Sequence, residues 1–170
     1  MSLGHAFHAA DRLIRGLEPG LRPDLDACCR EIRRAEERLN AAAADALARC
    51  AGGCRGICCR NLQLDAVIAR EDFVYLLASQ PALRGRMAEC LGREEPLFTS
   101  DCVFLENGTG PCIFPPHLRP QVCITSFCRS EPSLTAECAA VRRAFRRLGR
   151  LVGFRRVLPA WRRLAAAAKK

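Results

Sequence analysis

The sequence predicts an α-rich α+β fold, in which helices surround an irregular cysteine-rich core that contains one β-hairpin. Two observations support this prediction: apolar residues recur at helical spacing toward both ends, and cysteines concentrate in a middle region rich in glycine and proline. With 170 residues, of which 49% are apolar and 26% charged, the chain has a globular composition and the length of one ordinary domain.

The longest predicted helix spans residues 24–49. Its apolar residues recur in steps of three, four and seven from Leu25 to Leu47, with Pro23 before the segment and two glycines after it. Similar patterns predict shorter helices over residues 2–16, 71–79 and 82–91 and a helix that begins near Ser133.

A β-hairpin is predicted about Asn107-Gly108. The segments Cys102-Val-Phe-Leu and Pro-Cys112-Ile-Phe flank this pair, which supplies the positive φ angles of a tight turn. Pairing about the turn would bring Cys102 and Cys112 opposite one another to within about one residue of register. Two thiols would then come from one rigid element.

Three segments are expected along the chain: an N-terminal helical extension (1–23), a cysteine-cluster domain that includes the long helix (24–135) and a basic amphipathic helical segment (136–170). The N-terminal residues lack the continuous apolar stretch of a signal peptide, and no apolar run approaches transmembrane length. We therefore expect a cytoplasmic protein, whose twelve cysteines stay reduced and serve as metal ligands or buried thiols.

The net charge of the chain lies in the C-terminal segment. Residues 136–170 contain eleven Arg or Lys and one acid, Glu137, whereas the whole chain has a net charge of +9. A basic amphipathic helix of this kind can bind anionic lipid, nucleic acid or an acidic surface of an unidentified protein partner. The alternative is that its apolar stripe packs on the domain and its arginines face water.

Two cysteine clusters contain the candidate metal ligands: Cys50-x3-Cys54-x3-Cys58-Cys59 and Cys102-x9-Cys112-x10-Cys123-x4-Cys128. Thiolates suit both tetrahedral zinc and iron-sulfur clusters, each of which takes four cysteines, so eight cysteines allow one centre or two. Cys58 and Cys59 are adjacent and would point to opposite faces of an extended chain, so we do not expect both to bind one ion.

The first cluster has a second interpretation. Its first three cysteines recur every four residues and could form a buried stripe on one face of a helix. Gly52, Gly53 and Gly56 argue against a helix, since each glycine costs a helix interior roughly 1 kcal/mol, whereas a loop around an ion needs that backbone freedom. We therefore favour metal binding over a core stripe.

Other potential donors are interpreted as ordinary residues. Four cysteines lie within helical patterns and are expected to be buried thiols: Cys28, Cys29, Cys90 and Cys138. His5 and His8 have no cysteine or acid partner nearby in sequence, so we expect surface histidines. His117, inside the cysteine region, is an alternative ligand.

The ordered combination of CxxxCxxxCC, CVFL, GPCIF and RPQVC over residues 50–128 resembles the bacterial CxxCxxCC cysteine-cluster proteins, which are described as zinc- or iron-chelating domains. By that match, six cysteines take the family's positions, with Cys50 at looser spacing: Cys54, Cys58, Cys59, Cys102, Cys112 and Cys123. Arg119-Pro120 matches the Arg-Pro before the family's last common cysteine. The chain departs from the family in longer gaps in the first cluster, in Phe114 for Tyr and in Ile124 for Arg.

A similar cysteine domain occurs in bacterial flagellin lysine N-methylases, where the resemblance implies an iron-sulfur cluster. It therefore favours iron, most simply as [4Fe-4S], over zinc, in a metal-binding protein for electron transfer or metal handling. Two alternatives stay open: a redox or methyl-transfer enzyme component, although the sequence has no catalytic motif, and a nucleic-acid-binding protein with structural zinc.

Overall fold

A computed structural model gives the architecture of the chain. It describes residues 2–53, 59, 67–93, 102–106, 111–127 and 131–167, of which 49–53 and 154–167 are described by their backbone alone. The described part contains these α-helices: α1 (Leu3–Arg15), α2 (Arg22–Ala42), α3 (Ala44–Gly53), α4 (Arg70–Ser79), α5 (Arg84–Leu91), α6 (Gln121–Thr125) and α7 (Thr135–Ala167). Single 3-10 turns that begin at a proline precede α2, α5 and α7.

The helices predicted near both ends of the chain are confirmed, with one interruption in the longest. Ala43 has a φ of −92° and a ψ of 8°, which separates α2 from α3. The helical chain nevertheless continues, because the Leu47 N–H donates to the Ala43 carbonyl at 2.8 Å. Helix α3 extends to Gly53 and includes Cys50, so the argument from glycine against a helix is wrong for this cysteine: Gly52 and Gly53 lie in the last turn, where a glycine costs least. Gly56 lies outside the described residues.

Helix α4 occupies the centre of the fold. Its residues 72–77 are all buried, and 73–77 are each 1% exposed or less. A helix that is apolar on all sides must be covered on all sides, and α1, α2 and α7 each pack against α4. The most extensive helix pair is α2 with α7, so residues from all three predicted segments contribute to one core.

A row of aromatic contacts joins this helical core to the cysteine region. The rings of Phe7 and Phe73 meet edge-to-face at 5.7 Å between centroids, and Phe73 meets Phe104 at 6.2 Å. Phe104 then contacts Phe114 at 4.9 Å. Such pairs stabilise by roughly 1 kcal/mol beyond their burial, so the row anchors the irregular segments that follow α5 to the rigid helices.

The predicted α+β class is wrong. No strand lies in the described residues, and the expected hairpin reduces there to one isolated antiparallel bridge between Leu105 and Cys112. The predicted register is wrong as well, since the bridge places Cys112 opposite Leu105, three residues beyond Cys102. The turn residues 107–110 lie outside the described residues.

Backbone hydrogen bonding explains why the bridge does not become a ladder. The Leu105 N–H turns back to the Cys102 carbonyl at 3.0 Å, so it does not donate across the bridge. On the other side, Pro111, Pro115 and Pro116 have no N–H to donate. Between the described parts of the two segments, two backbone hydrogen bonds flank the bridge, from Ile113 N–H to the Phe104 carbonyl and from Glu106 N–H to the Pro111 carbonyl, both at 2.9 Å.

The apolar stripe of α7 packs on the domain over its described side chains. This confirms the packing interpretation for residues 135–153, whose buried members are Val141, Ala144, Phe145, Leu148 and Val152. Among the helices of the described ranges, none has the length and apolar character needed to span a bilayer.

A buried carboxyl group lies between α2 and α4. Glu36 is fully buried, and the Tyr75 hydroxyl donates to its Oε2 atom at 2.7 Å. Burial raises the pKa of Glu36 to about 8, although hydrogen bonds from Tyr75 and from the Arg119 backbone N–H partly oppose this rise. Glu36 therefore holds a proton at neutral pH.

We predict that Glu36 makes the stability of the protein fall with rising pH. Since its pKa is about 8 in the folded chain and ordinarily 4.5, the folded state keeps a proton that the unfolded state releases. The stabilisation is complete below about pH 4.5 and is lost as the pH rises through about 8. Relative to Glu36→Gln, the wild-type free energy of unfolding should fall by about 1.4 kcal/mol per pH unit in this window.

Urea unfolding of both proteins from about pH 5 to about pH 9 measures this difference. Glu37→Gln, at an exposed position of the same helix, is the matched control and should follow the wild-type curve. Parallel curves for wild type and Glu36→Gln would contradict the prediction.

Candidate metal centre

Half of the predicted ligands have described side chains: Cys59, Cys102, Cys112 and Cys123. Three others lie outside the described residues: Cys54, Cys58 and Cys128. Cys50 lies in α3, where the backbone alone is described. The geometry of the candidate centre therefore rests on the four described cysteines, all of which are free thiols.

Two segments with the same sequence pattern hold two of these cysteines in the same way. In Cys102-Val-Phe104 and Cys112-Ile-Phe114, the backbone N–H of the phenylalanine donates a hydrogen bond to the sulfur two residues earlier. N–H groups directed at sulfur stabilise the thiolate form and tune metal-bound thiolates. The repeated Cys-x-Phe pattern thus supplies two sulfurs that already have donors in place.

Backbone contacts join the Cys-x-Phe segments to each other and to the first cluster. The Leu105–Cys112 bridge links the two segments, and the rings of Phe104 and Phe114 pack together beneath it. The Cys102 N–H donates to the Cys59 carbonyl at 2.7 Å. The last cysteine of the first cluster is therefore fixed beside the first cysteine of the second.

Helix α6 positions Cys123, and a buried carboxylate from α4 positions α6. One oxygen of Asp72 accepts the Gln121 N–H at 2.7 Å, and the other accepts the Ala69 N–H at 2.8 Å. Asp72 thus satisfies the N-termini of its own helix and of α6 at once. Burial raises its pKa to about 6, which the Gln121 and Ala69 N–H groups partly oppose, so the group is ionised at neutral pH.

The four thiols lie close enough for their charges to interact. Burial raises the pKa of Cys102 to about 12, and neighbouring Cys112 and Cys59 add to the rise. Cys123 is exposed over part of its surface, but its sulfur is surrounded by protein, and this burial raises the pKa of the thiol. The nearby thiols of Cys102 and Cys112 raise the pKa of Cys123 further. Thiolates at these positions would repel one another unless a cation lay among them.

One cation of the protein already lies beside this group. The guanidinium of Arg119 acts to lower the pKa of Cys112, although burial dominates and the net shift is upward. The Nε atom of Arg119 is buried and has no hydrogen-bond partner in the described part of the chain. Its backbone N–H donates to Glu36, which ties this loop to α2.

The described residues fit a thiophilic metal in donor type but form only part of a coordination set. Within the described ranges, no three His, Cys, Asp or Glu side chains come together as a group that could hold a metal. The arrangement brings the sulfurs of Cys102, Cys112, Cys123 and Cys59 into one neighbourhood. Further ligands would have to come from the other predicted cysteines.

Sequence reasoning missed the position of Cys90. This buried cysteine of α5 lies near enough to add to the rise in the pKa of both Cys102 and Cys112. Helical spacing alone identified it as a core thiol, because periodicity does not show which loop a helix faces. The remaining helical cysteines match expectation in part: Cys28 and Cys29 are buried, whereas Cys138 is only partly buried. His117 is exposed.

A pocket lies next to Cys90, between α5 and the Leu105–Cys112 bridge. Its charges are paired: Arg86 contacts Glu106 at 2.6 Å, and Arg93 contacts Glu89 at 3.2 Å. Because each arginine of the pocket faces a glutamate, the pocket presents no excess charge to a ligand.

Comparisons with protein-family models, curated proteins and solved structures give no match to this chain. The resemblance to the CxxCxxCC proteins stays a prediction. Support for a metal centre therefore comes only from the contacts and burial of the cysteines themselves.

We predict that Asp72 is required for the position of α6. Replacing Asp72 by Ala removes the acceptor of the part-buried Ala69 and Gln121 N–H hydrogen bonds, which should cost about 1 to 2 kcal/mol of unfolding free energy. Asp72→Asn retains one acceptor oxygen and should lose less. Urea unfolding measures the cost, and amide hydrogen exchange at Gln121 should accelerate more in the alanine variant. Unchanged stability and exchange in both variants would contradict this role.

Proposed function

We propose that this chain is a metal-binding protein whose clustered cysteine thiolates hold an iron-sulfur cluster, most simply [4Fe-4S], or zinc. The observation that supports the proposal is that four predicted ligands lie near enough for their charges to interact, and two of them receive a backbone N–H hydrogen bond on sulfur. Cysteines that serve only as small apolar residues need neither a shared neighbourhood nor N–H donors.

The proposed ligands come from both clusters. Cys59, Cys102, Cys112 and Cys123 are the described members, and the other four predicted cysteines are the candidates that complete one centre or build a second. An iron-sulfur cluster held there would supply one-electron transfer, whereas zinc would supply structural stability. The resemblance noted above favours iron.

The protein's own residues would prepare the site in three ways. Phe104 and Phe114, 1% and 2% exposed, exclude water from one side of the cysteine region. Their N–H groups stabilise negative sulfur, and Arg119 beside Cys112 offsets part of the charge of the thiolates. Low polarity, N–H donors to sulfur and a nearby cation all change the reduction potential of a metal–thiolate centre.

The proposal has consequences for location and partners. Thiols that bind metal must stay reduced, so we infer a cytoplasmic location. An electron-transfer or metal-handling role requires a partner protein that docks near the cysteine region, and α6 is the nearest described helix with an exposed cysteine.

The proposal predicts bound metal in protein purified without oxygen. Iron with about equimolar acid-labile sulfide and broad absorption near roughly 400 nm would identify an iron-sulfur centre. Colourless protein with stoichiometric zinc would identify a zinc centre. Folded protein that contains neither metal would overturn the proposal.

Paired serine variants test which thiols are involved. Cys102→Ser with Cys112→Ser should lose most of the bound metal, because it removes both sulfurs that have N–H donors. Cys28→Ser with Cys138→Ser removes as many thiols from helical positions and should keep the metal. Circular dichroism should report folded helices in both proteins. Equal metal content in the two variants would contradict the proposed ligands.

A further inference from the structure

The exposed sides of α2 and α7 form one basic surface, which we name the α2–α7 basic face. It is made of the exposed residues within 30–38 of α2 and 142–150 of α7. Eight of them are arginines: Arg30, Arg34, Arg38, Arg142, Arg143, Arg146, Arg147 and Arg150. The exposed acids within the same two ranges are Glu31 and Glu37. The face is therefore strongly positive.

The two helices present these arginines on the same side of the molecule. They form the most extensive helix pair of the fold. An ion pair of 2.8 Å between Arg147 Nη1 and Glu31 Oε2 joins their exposed edges. On α2 the arginines recur every four residues, and on α7 Arg142, Arg146 and Arg150 do the same, so each helix contributes a straight row.

Most of this charge has no ion-pair partner among the described residues. In the part of the chain that the structure describes, Arg147 is the arginine of the face that forms an ion pair. Arginine's planar guanidinium binds phosphate oxygens through two parallel hydrogen bonds, and every cation of the face is arginine rather than lysine. The face therefore suits a ligand with closely spaced phosphates.

The dimensions favour a nucleic-acid duplex. A row of nine helical residues is about 12 Å long. Double-stranded DNA carries one phosphate per roughly 1.7 Å of its axis, so about seven phosphates lie along that length. Eight arginines thus meet a comparable number of negative charges.

Two other anionic partners fit less well. A membrane-surface helix inserts an apolar face into lipid, but the large apolar residues of α7 up to Val152 are buried against the protein, except for the half-buried Leu151. Single-stranded nucleic acid stacks its bases on exposed aromatic rings. Among the described side chains, the only exposed large apolar residue is Leu47.

We propose that the α2–α7 basic face binds the phosphate backbone of double-stranded DNA without reading its sequence. This inference is independent of the metal centre. Because contacts to phosphate release counterions, affinity should fall steeply with salt: with about six phosphates neutralised, the slope of log K against log salt would be about −5.

Fluorescence anisotropy of a labelled DNA duplex at several salt concentrations tests the proposal on the whole chain, purified without oxygen. One variant replaces Arg30, Arg34 and Arg38 by Gln, and a second replaces Arg142, Arg146 and Arg150 by Gln. Each should weaken binding at least about tenfold at the lowest salt and should make the slope less steep by about 2 to 3. The α2 variant is decisive, because its residues lie outside the basic C-terminal segment.

A matched control replaces three exposed arginines elsewhere by Gln: Arg15, Arg86 and Arg93. It removes the same net charge and should bind nearly as wild type does. Equal weakening by the control, or no effect of the α2 variant, would overturn the assignment to this face. Preferential binding to duplex RNA or to phosphatidylserine vesicles, or no duplex binding at low salt, would overturn the assignment to DNA.

Discussion

Burial of α4 among α1, α2 and α7 is the constraint on which the cysteine region depends. Two consecutive residues of this helix hold two different cysteine-bearing segments. Asp72 accepts the Gln121 N–H at the start of α6, which carries Cys123, and Phe73 packs against Phe104, two residues beyond Cys102. Because α4 is covered on all sides, it gives the irregular segments a fixed support that they do not have of their own.

Buried polar groups connect the same region to α2. Glu36 receives the Tyr75 hydroxyl from α4 and the backbone N–H of Arg119, while the Arg119 guanidinium lies beside Cys112. A protonated carboxyl at this junction avoids the cost of a buried charge and still accepts both hydrogen bonds. The core and the cysteine region are therefore joined by apolar contacts on one side and by this network on the other.

Periodicity predicted the helices well, because an apolar face at 3.6-residue spacing is a local property of the chain. The hairpin prediction about Asn107-Gly108 was wrong, because a hairpin needs backbone N–H donors from both of its strands. The prolines at 111, 115 and 116 cannot donate, and this signal against the hairpin was present in the sequence. The clustering predicted eight ligands, which stay a prediction, and it did not indicate that Cys90 lies near Cys102 and Cys112. The capping role of Asp72 in its own helix could be predicted, because an acid at the third helical position is a local sequence signal. Its hydrogen bond from the Gln121 N–H has no such signal, because the two residues are distant in sequence.

The central claim is that sulfur from both cysteine clusters binds one kind of metal. X-ray absorption at the edge of the bound metal measures it most directly, on protein purified without oxygen. The proposed centre should give a first shell of four sulfur neighbours, at about 2.3 Å for zinc, and a second shell of iron neighbours if it is an iron-sulfur cluster. A first shell dominated by nitrogen or oxygen would contradict the account, because the metal would then lie outside the cysteine region.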